Sequence, residues 1–351
     1  MPLLIKRFGF IFSCILIFGS GRAIAQDPQF SQFYAAPIFL NPAFAGSTED
    51  TRLVLNHRRQ WPGLDASFIT TSVSLDKNLA KYNSGVGLMV TNDYVDPAGL
   101  KSTEIAGQYA YLLPMTKTLS FRAGFQAAYV QRSVDFGKFV FGDQISNNGL
   151  SGLATRETFV SDTRGNVDVG LGGMLFSRRF FMGLSLHHIN RPNQAFTDQV
   201  SRLPVRTTLH TGFLIPLNKF KYGKKNKRFT ANEEEQKGLT PAIIYKSQGQ
   251  FDQLDIGLHF NYNPIVIGFW YRGIPIKTYE KGINNHEALI LLAGLRLGSL
   301  SLGYSYDYTL SKLAVYTGGA HEISVTYLFS TTPNGKRSKV KGPRFIPCPT
   351  I

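Results

Sequence analysis

His286-Glu287 and His321-Glu322 each open like a zinc-protease helix, in which two histidines four residues apart hold the metal and the glutamate activates water. The second histidine is missing in both cases, because the required positions hold Ile290 and Val325. His187-His188 offers two imidazoles, yet neighbours on a strand face opposite ways and cannot share a metal. Gly303-Tyr304-Ser305-Tyr306 comes within one residue of a serine-hydrolase elbow, but Asp307 stands where the closing glycine belongs. Gly170-Leu171-Gly172-Gly173 lacks the spacing and the following helix of a dinucleotide loop. No catalytic, metal or cofactor constellation assembles, so the expectation is a non-enzymatic chain without cofactor.

These residues sit in sequence of period two. From Ser299 to Leu310, Leu300, Leu302, Tyr304, Tyr306, Tyr308 and Leu310 alternate with Ser299, Ser301, Gly303, Ser305, Asp307 and Thr309. Period two means an extended strand with two unlike faces. The pattern returns in Leu254 to Tyr262, in Leu119 to Tyr129, and around Phe180, Ile323 and Ile105. Only 17% of the 351 residues are charged, while aromatics reach 13% and glycines number 34. No convincing helical period appears beyond the N-terminus, so the chain reads as mostly β.

The N-terminus reads as an export signal. Lys6 and Arg7 precede an apolar run from Phe8 to Phe18, and Ala23-Ile24-Ala25 forms a small-x-small cleavage site before Gln26. The run is shorter than the roughly 20 residues a membrane-spanning helix needs. Lipidation at Cys14 is disfavoured, because apolar sequence continues after it. Cys348 is then the one thiol left, which excludes an internal disulfide.

A soluble sandwich would alternate too, but its strands average about 5–6 residues. These segments are long enough to cross a bilayer as tilted strands. They carry aromatics near their ends, among them Tyr94, Tyr109, Tyr111, Tyr129, Tyr245, Tyr262, Tyr271, Tyr308 and Tyr327, as the interfacial girdles of outer-membrane barrels do. The expected fold is an all-β outer-membrane β-barrel of about 14 antiparallel strands. The strands are expected at 51–60, 65–76, 84–96, 100–112, 117–133, 164–177, 179–189, 204–216, 238–248, 251–262, 264–272, 285–297, 299–310 and 320–330. The leader occupies 1–25, a periplasmic segment or plug 26–50, the barrel 51–332, and a basic periplasmic tail 333–351. Long outward loops are expected at 134–163, 190–203, 273–284 and 311–319.

The Leu/Tyr face should meet lipid and the Ser/Gly/Asp face the interior. Inward Gly85, Gly87, Gly124, Gly170, Gly172, Gly257 and Gly303 let strands bend or neighbours approach, barrel curvature being the ordinary reason. Inward Arg122, Asp168, Arg206, Asp255 and Asp307 should pair inside the barrel or line a narrow pore. The formal charge is +15, and removal of Lys6, Arg7 and Arg22 with the leader lowers it to +12. Lys219, Lys221, Lys224, Lys225, Lys227 and Arg228 cluster in one long connection. They are either a solvated loop or a docking site for an acidic periplasmic partner. The export signal argues against nucleic acid as the partner.

Five stretches in fixed order add a family resemblance. They are Asp27-Pro28-Gln29-Phe30-Ser31-Gln32-Phe33, Asn41-Pro42-Ala43-Phe44-Ala45-Gly46, Arg58-Arg59-Gln60-Trp61, Ser305-Tyr306-Asp307-Tyr308 and Gly318-Gly319-Ala320-His321-Glu322-Ile323. Together they resemble the PorP/SprF family of Bacteroidetes outer-membrane proteins, across essentially the whole mature chain. Cys348-Pro349 is similar to the family's terminal Cys-Pro. The resemblance implies a part in type IX secretion and gliding motility. Implied partners are periplasmic ring lipoproteins and a secreted adhesin or other protein carrying a sorting domain. A diffusion pore or small-solute transporter is the alternative function, and a membrane hydrolase a third.

Several of these residues also have a physical reading. Asn41, Pro42 and Gly46 form a turn-rich stretch before the first strand. That stretch either caps the structure or seats in the periplasmic mouth on Phe30, Phe33, Tyr34 and Phe39. Trp61 suits an interfacial girdle. Asp307, His321 and Glu322 are candidates to pair across the last two strands, or with Arg58 and Arg59 where the barrel closes.

Overall fold

A sheet that is oily on one face and polar on the other satisfies both solvents in a bilayer only by closing on itself. The computed structural model shows this closure. It describes residues 27–349 apart from 65–66, 97–98, 147–148, 157–160, 197–199, 218–236, 281–282, 311–313, 330–342 and 344–345. Fourteen long strands follow one another: β1 (Thr51–Gln60), β2 (Phe68–Leu79), β3 (Ser84–Val95), β4 (Leu100–Pro114), β5 (Ser120–Ser133), β6 (Thr163–Phe176) and β7 (Phe180–His187) make the first half. The second half is β8 (Arg206–Phe213), β9 (Gly238–Gln248), β10 (Phe251–Tyr262), β11 (Ile265–Glu280), β12 (Ile283–Leu297), β13 (Leu300–Thr309) and β14 (Ala320–Phe329). Each strand pairs antiparallel with the next. β1 pairs with β14 from Thr51 opposite Phe329 to Gln60 opposite Ala320, which closes the cylinder. No helix among the described residues is long and apolar enough to cross a membrane.

The alternation partitions as its chemistry demands. On β13, Leu302, Tyr304 and Tyr308 are exposed, while Ser301, Ser305 and Asp307 are buried inside. Ile256, Leu258, Ile267, Phe269 and Leu291 continue the exposed oily surface over β10, β11 and β12. Such a surface is stable against hydrocarbon and not against water. Tyr129 and Tyr308 stand toward one rim, Tyr262 and Tyr327 toward the other, and all four are exposed. The turns at 177–179, 263–264 and 298–299 are short and lie at the end where β1 begins. That end is periplasmic by the usual barrel rule.

One expectation is corrected. Residues 273–284 are not an outward loop, because β11 continues to Glu280 and β12 starts at Ile283. The pairing shifts register between Arg272 and Gly273, which marks a bulge. The bulge breaks the period there, and Pro275 further disguises the strand.

Candidate functional site

The barrel interior is occupied by the chain's own N-terminal segment. Every residue from Phe30 to Ser47 is buried except the half-buried Phe39. The segment holds a single turn of helix, α1 (Pro37–Leu40), and a 3-10 turn at Pro42–Phe44. Pro37 and Pro42 suit the first helical position, where no backbone donor is needed. Asn41 caps the second turn by accepting from the Ala43 amide at 2.9 Å. The same side chain donates to the Leu184 carbonyl at 3.2 Å and the Gly173 carbonyl at 3.3 Å. One asparagine therefore fixes a turn and ties it to β6 and β7.

Near the periplasmic end, the Gly46 amide donates to Asp76 at 2.8 Å, and Arg52 holds the same carboxylate through two nitrogens at 2.8 and 3.0 Å. Arg122 donates to the carbonyls of Ala43 and Ala45. The inward glycines make room here. A Cβ on Gly85 would lie 2.0 Å from the Ala45 carbonyl oxygen, on Gly124 2.3 Å from the Ala43 nitrogen, and on Gly172 2.0 Å from Asn41 Oδ1. Curvature is thus not the reason for these three glycines; close approach of the plug is. Gly257 gives room instead to Trp270, whose ring would lie 2.1 Å from an added Cβ.

Higher in the lumen, Ser31 and Gln32 bind four strands. Ser31 Oγ donates to Asp307 at 2.6 Å and accepts from Arg58 at 2.7 Å and Arg272 at 2.9 Å. The amides of Ser31 and Gln32 donate to Glu322 at 2.6 and 3.1 Å, and Ser324 Oγ donates to Gln32 at 2.6 Å. Arg58 and Arg272 reach Asp307 at 2.8 and 3.1 Å, and Arg272 reaches Asp255 at 2.8 Å. Buried charges survive when they are paired and hydrogen-bonded, as these are. Phe33 packs edge-on against Trp270 at 4.9 Å, and Tyr34 against Phe181 at 5.6 Å.

Asp27, the first described residue, lies at the outer rim. Its carboxylate is 2.6 Å from His188 Nε2 and 3.0 Å from Arg206, and His188 Nδ1 is 2.9 Å from Asp168. Burial alone would raise the Asp27 carboxyl, but His188 and Arg206 outweigh it and hold the group well below its ordinary 3.8. Burial pulls His188 down, but Asp27 and Asp168 prevail and lift it from 6.5 to about 9. A lowered carboxyl stabilises docking fully above 3.8 and loses that effect as pH falls toward its folded value. A raised imidazole stabilises docking fully below 6.5 and loses that effect as pH climbs through about 9. A nitroxide at Gln29→Cys should therefore be immobile at pH of about 6 and freer at about 10. Equal mobility at both would remove the His188 charge from the anchor.

The residues picked out in the sequence divide clearly. Asn41, Pro42, Gly46, Arg58, Asp307 and Glu322 all meet in the interior. Arg58 pairs with both carboxylates, at 2.8 Å to Asp307 and 3.3 Å to Glu322. Arg59 and His321 oppose each other on β1 and β14 but face outward, and His321 Nδ1 lies 2.8 Å from the Tyr304 hydroxyl. Neither joins the inward cluster, because both have the opposite strand phase to Arg58 and Glu322. Trp61 sits at the rim with φ 56°, and its amide donates to the Gly319 carbonyl at 2.8 Å. Arg122, Asp168, Arg206 and Asp255 are inward, and the last three are in ion pairs. Lys219, Lys221, Lys224, Lys225, Lys227 and Arg228 lie outside the described residues, as does the leader.

Sequence reading missed Arg52, Asp76, Arg272 and the two plug residues Ser31 and Gln32. The first three are inward in strand phase, which is a usable signal for internal pairing. The plug residues carry no such signal, since they lie outside any strand. The end of the tail also reaches the interior: Ser120 Oγ donates to the Pro343 carbonyl at 2.6 Å, and Ile346 joins the core. Burial lifts the Cys348 thiol to about 11.

A closed sheet, oily outside, with charged groups clamping its own N-terminal segment inside, defines a plugged outer-membrane β-barrel. The family model for the type IX secretion system membrane protein PorP/SprF matches residues 23–327, and the chain belongs to that family. No curated protein matches it. Among solved structures it is similar to the Ralstonia pickettii toluene transporter TbuX, at 11% identity and a TM-score of 0.47, over 88% of this chain and 97% of that one. It is also similar to the CymD monoaromatic hydrocarbon channel, at 13% identity and a TM-score of 0.44, over 85% of this chain and 94% of that one.

Proposed function

We propose that this chain is a non-enzymatic outer-membrane component of the type IX secretion and gliding machinery. In this reading it is delivered by a leader at 1–25. It anchors, or assists the export of, a secreted surface protein such as an adhesin, and it contacts periplasmic ring lipoproteins. The observation that carries the reading is the filled lumen. Side chains from β1, β11, β13 and β14 clamp Ser31 and Gln32, so cargo has no free path through this barrel. A plugged cylinder suits a fixed membrane anchor better than a diffusion pore. The basic run 219–228 is the proposed periplasmic contact, because clustered charge steers association. Gentle crosslinking, pull-down and mass spectrometry test the reading. Recovery of a sorting-domain protein or of ring lipoproteins is expected, with lipoprotein recovery reduced when 219–228 is deleted. Recovery of neither class of protein would overturn the reading.

A further inference from the structure

At the outer rim, between residues 27–30 of the plug and β8, β9 and β10, lies a cavity of about 100 Å³. Its walls include Phe30, Phe33, Phe39 and Phe251, so an apolar body is favoured inside. Phe30 and Phe39 meet edge to face at 5.0 Å, which holds one wall in place.

The charges around it are almost all matched. Arg206 is paired with Asp27 at 3.0 Å, Asp252 with Lys277 at 2.6 Å, and Glu287 stands 3.9 Å from Arg272. Lys246 is the exception. Among the described residues no carboxylate comes within ion-pair distance of it, and its ammonium lies 4.7 Å over the Phe33 ring. Lys246 lines the cavity and is half-buried. Asp255 and Glu287 act on this ammonium only from beyond ion-pair distance, so a cation with no direct carboxylate contact beside aromatic walls can take one carboxylate carried on an apolar group.

The cavity is also a dead end, because Phe30 to Ser47 fill the lumen beneath it. A blind hole of one-residue size admits the end of a chain more readily than its middle, which must both enter and leave. We infer that this cavity receives the C-terminal residue of an exported polypeptide, with its carboxylate on Lys246 and its apolar side chain among the phenylalanines. This rests on the anchoring role proposed above, since that role supplies polypeptides on the outer side.

The test uses the full mature chain purified in detergent. Anisotropy is read on a fluorescein-labelled alanine peptide ending in phenylalanine, as free acid and as C-terminal amide. The acid should bind about tenfold or more tightly than the amide, as one charge-assisted contact gives. Lys246→Gln should abolish that preference and Lys246→Arg should keep it, with heat-modifiable migration on gels verifying that both variants fold. Equal binding of acid and amide, or a preference that survives Lys246→Gln, would overturn the inference. So would phenylacetate binding as tightly as the peptide, which would make this a small-acid site. Crosslinked recovery of the secreted partner is scored separately. Recovery by Lys246→Gln at the wild-type level would reject the pocket and leave the anchoring role intact.

Discussion

Arg272→Met will leave a barrel that unfolds in markedly less denaturant and whose N-terminal segment is cut by protease. Arg272 is 1% exposed and holds Asp255, Asp307 and Ser31 at once. Removing one partner of a buried charge pair costs about 3–5 kcal/mol, because the remaining charge stays buried without compensation. Asp255 loses its ion pair while Asp307 keeps Arg58, so the cost falls within that range rather than doubling. Methionine keeps most of the side-chain volume, so the loss reports charge rather than a cavity. The measurements are loss of heat-modifiable migration in urea and the rate of proteolysis near Ser31. A variant with wild-type values in both would show that the inward network contributes little to holding the plug.

Removing the plug will turn a silent barrel into a conducting one. A variant lacking 27–47 and 343–351 should give steady currents in planar bilayers, while the intact mature chain gives none. Closed barrels of about 8 strands are filled by side chains and those of 16–18 leave an aqueous channel. Fourteen strands enclose space that something must occupy, and here the chain's own ends occupy it. The wall should persist in the variant, because Arg52–Asp76, Arg58–Asp307 and Arg272–Asp255 are wall-to-wall pairs. Steady large currents from the intact protein would favour the pore over the anchor.

The strands were legible because two solvents impose one period. Where that period held, as on β13, the expected and observed faces agree. Where a bulge at Gly273 broke it, the strand was mistaken for a loop. The inner charges were half legible: Arg58, Asp307 and Glu322 were expected to pair inside and do, while Arg59 and His321 were expected with them and instead face outward in the opposite strand phase. What phase cannot tell is how far an aperiodic segment travels. Residues 27–50 reach the outer rim rather than stopping at the periplasmic mouth, and nothing in their own sequence records that path. The glycines show the same gap, since close approach can be seen only once the approaching group is known.

Glu322 lies on β14, the strand that meets β1, and it accepts from the amide of Ser31, 291 residues away in the chain. Arg58 on β1 grips the same serine. The two terminal strands are therefore stitched from within by a residue that belongs to neither. Splitting the cylinder along this line requires withdrawing the inner segment first, so rupture there demands two losses in one step. Such coupling slows escape from the native state, which is what the proposed anchoring role would require under an outward load.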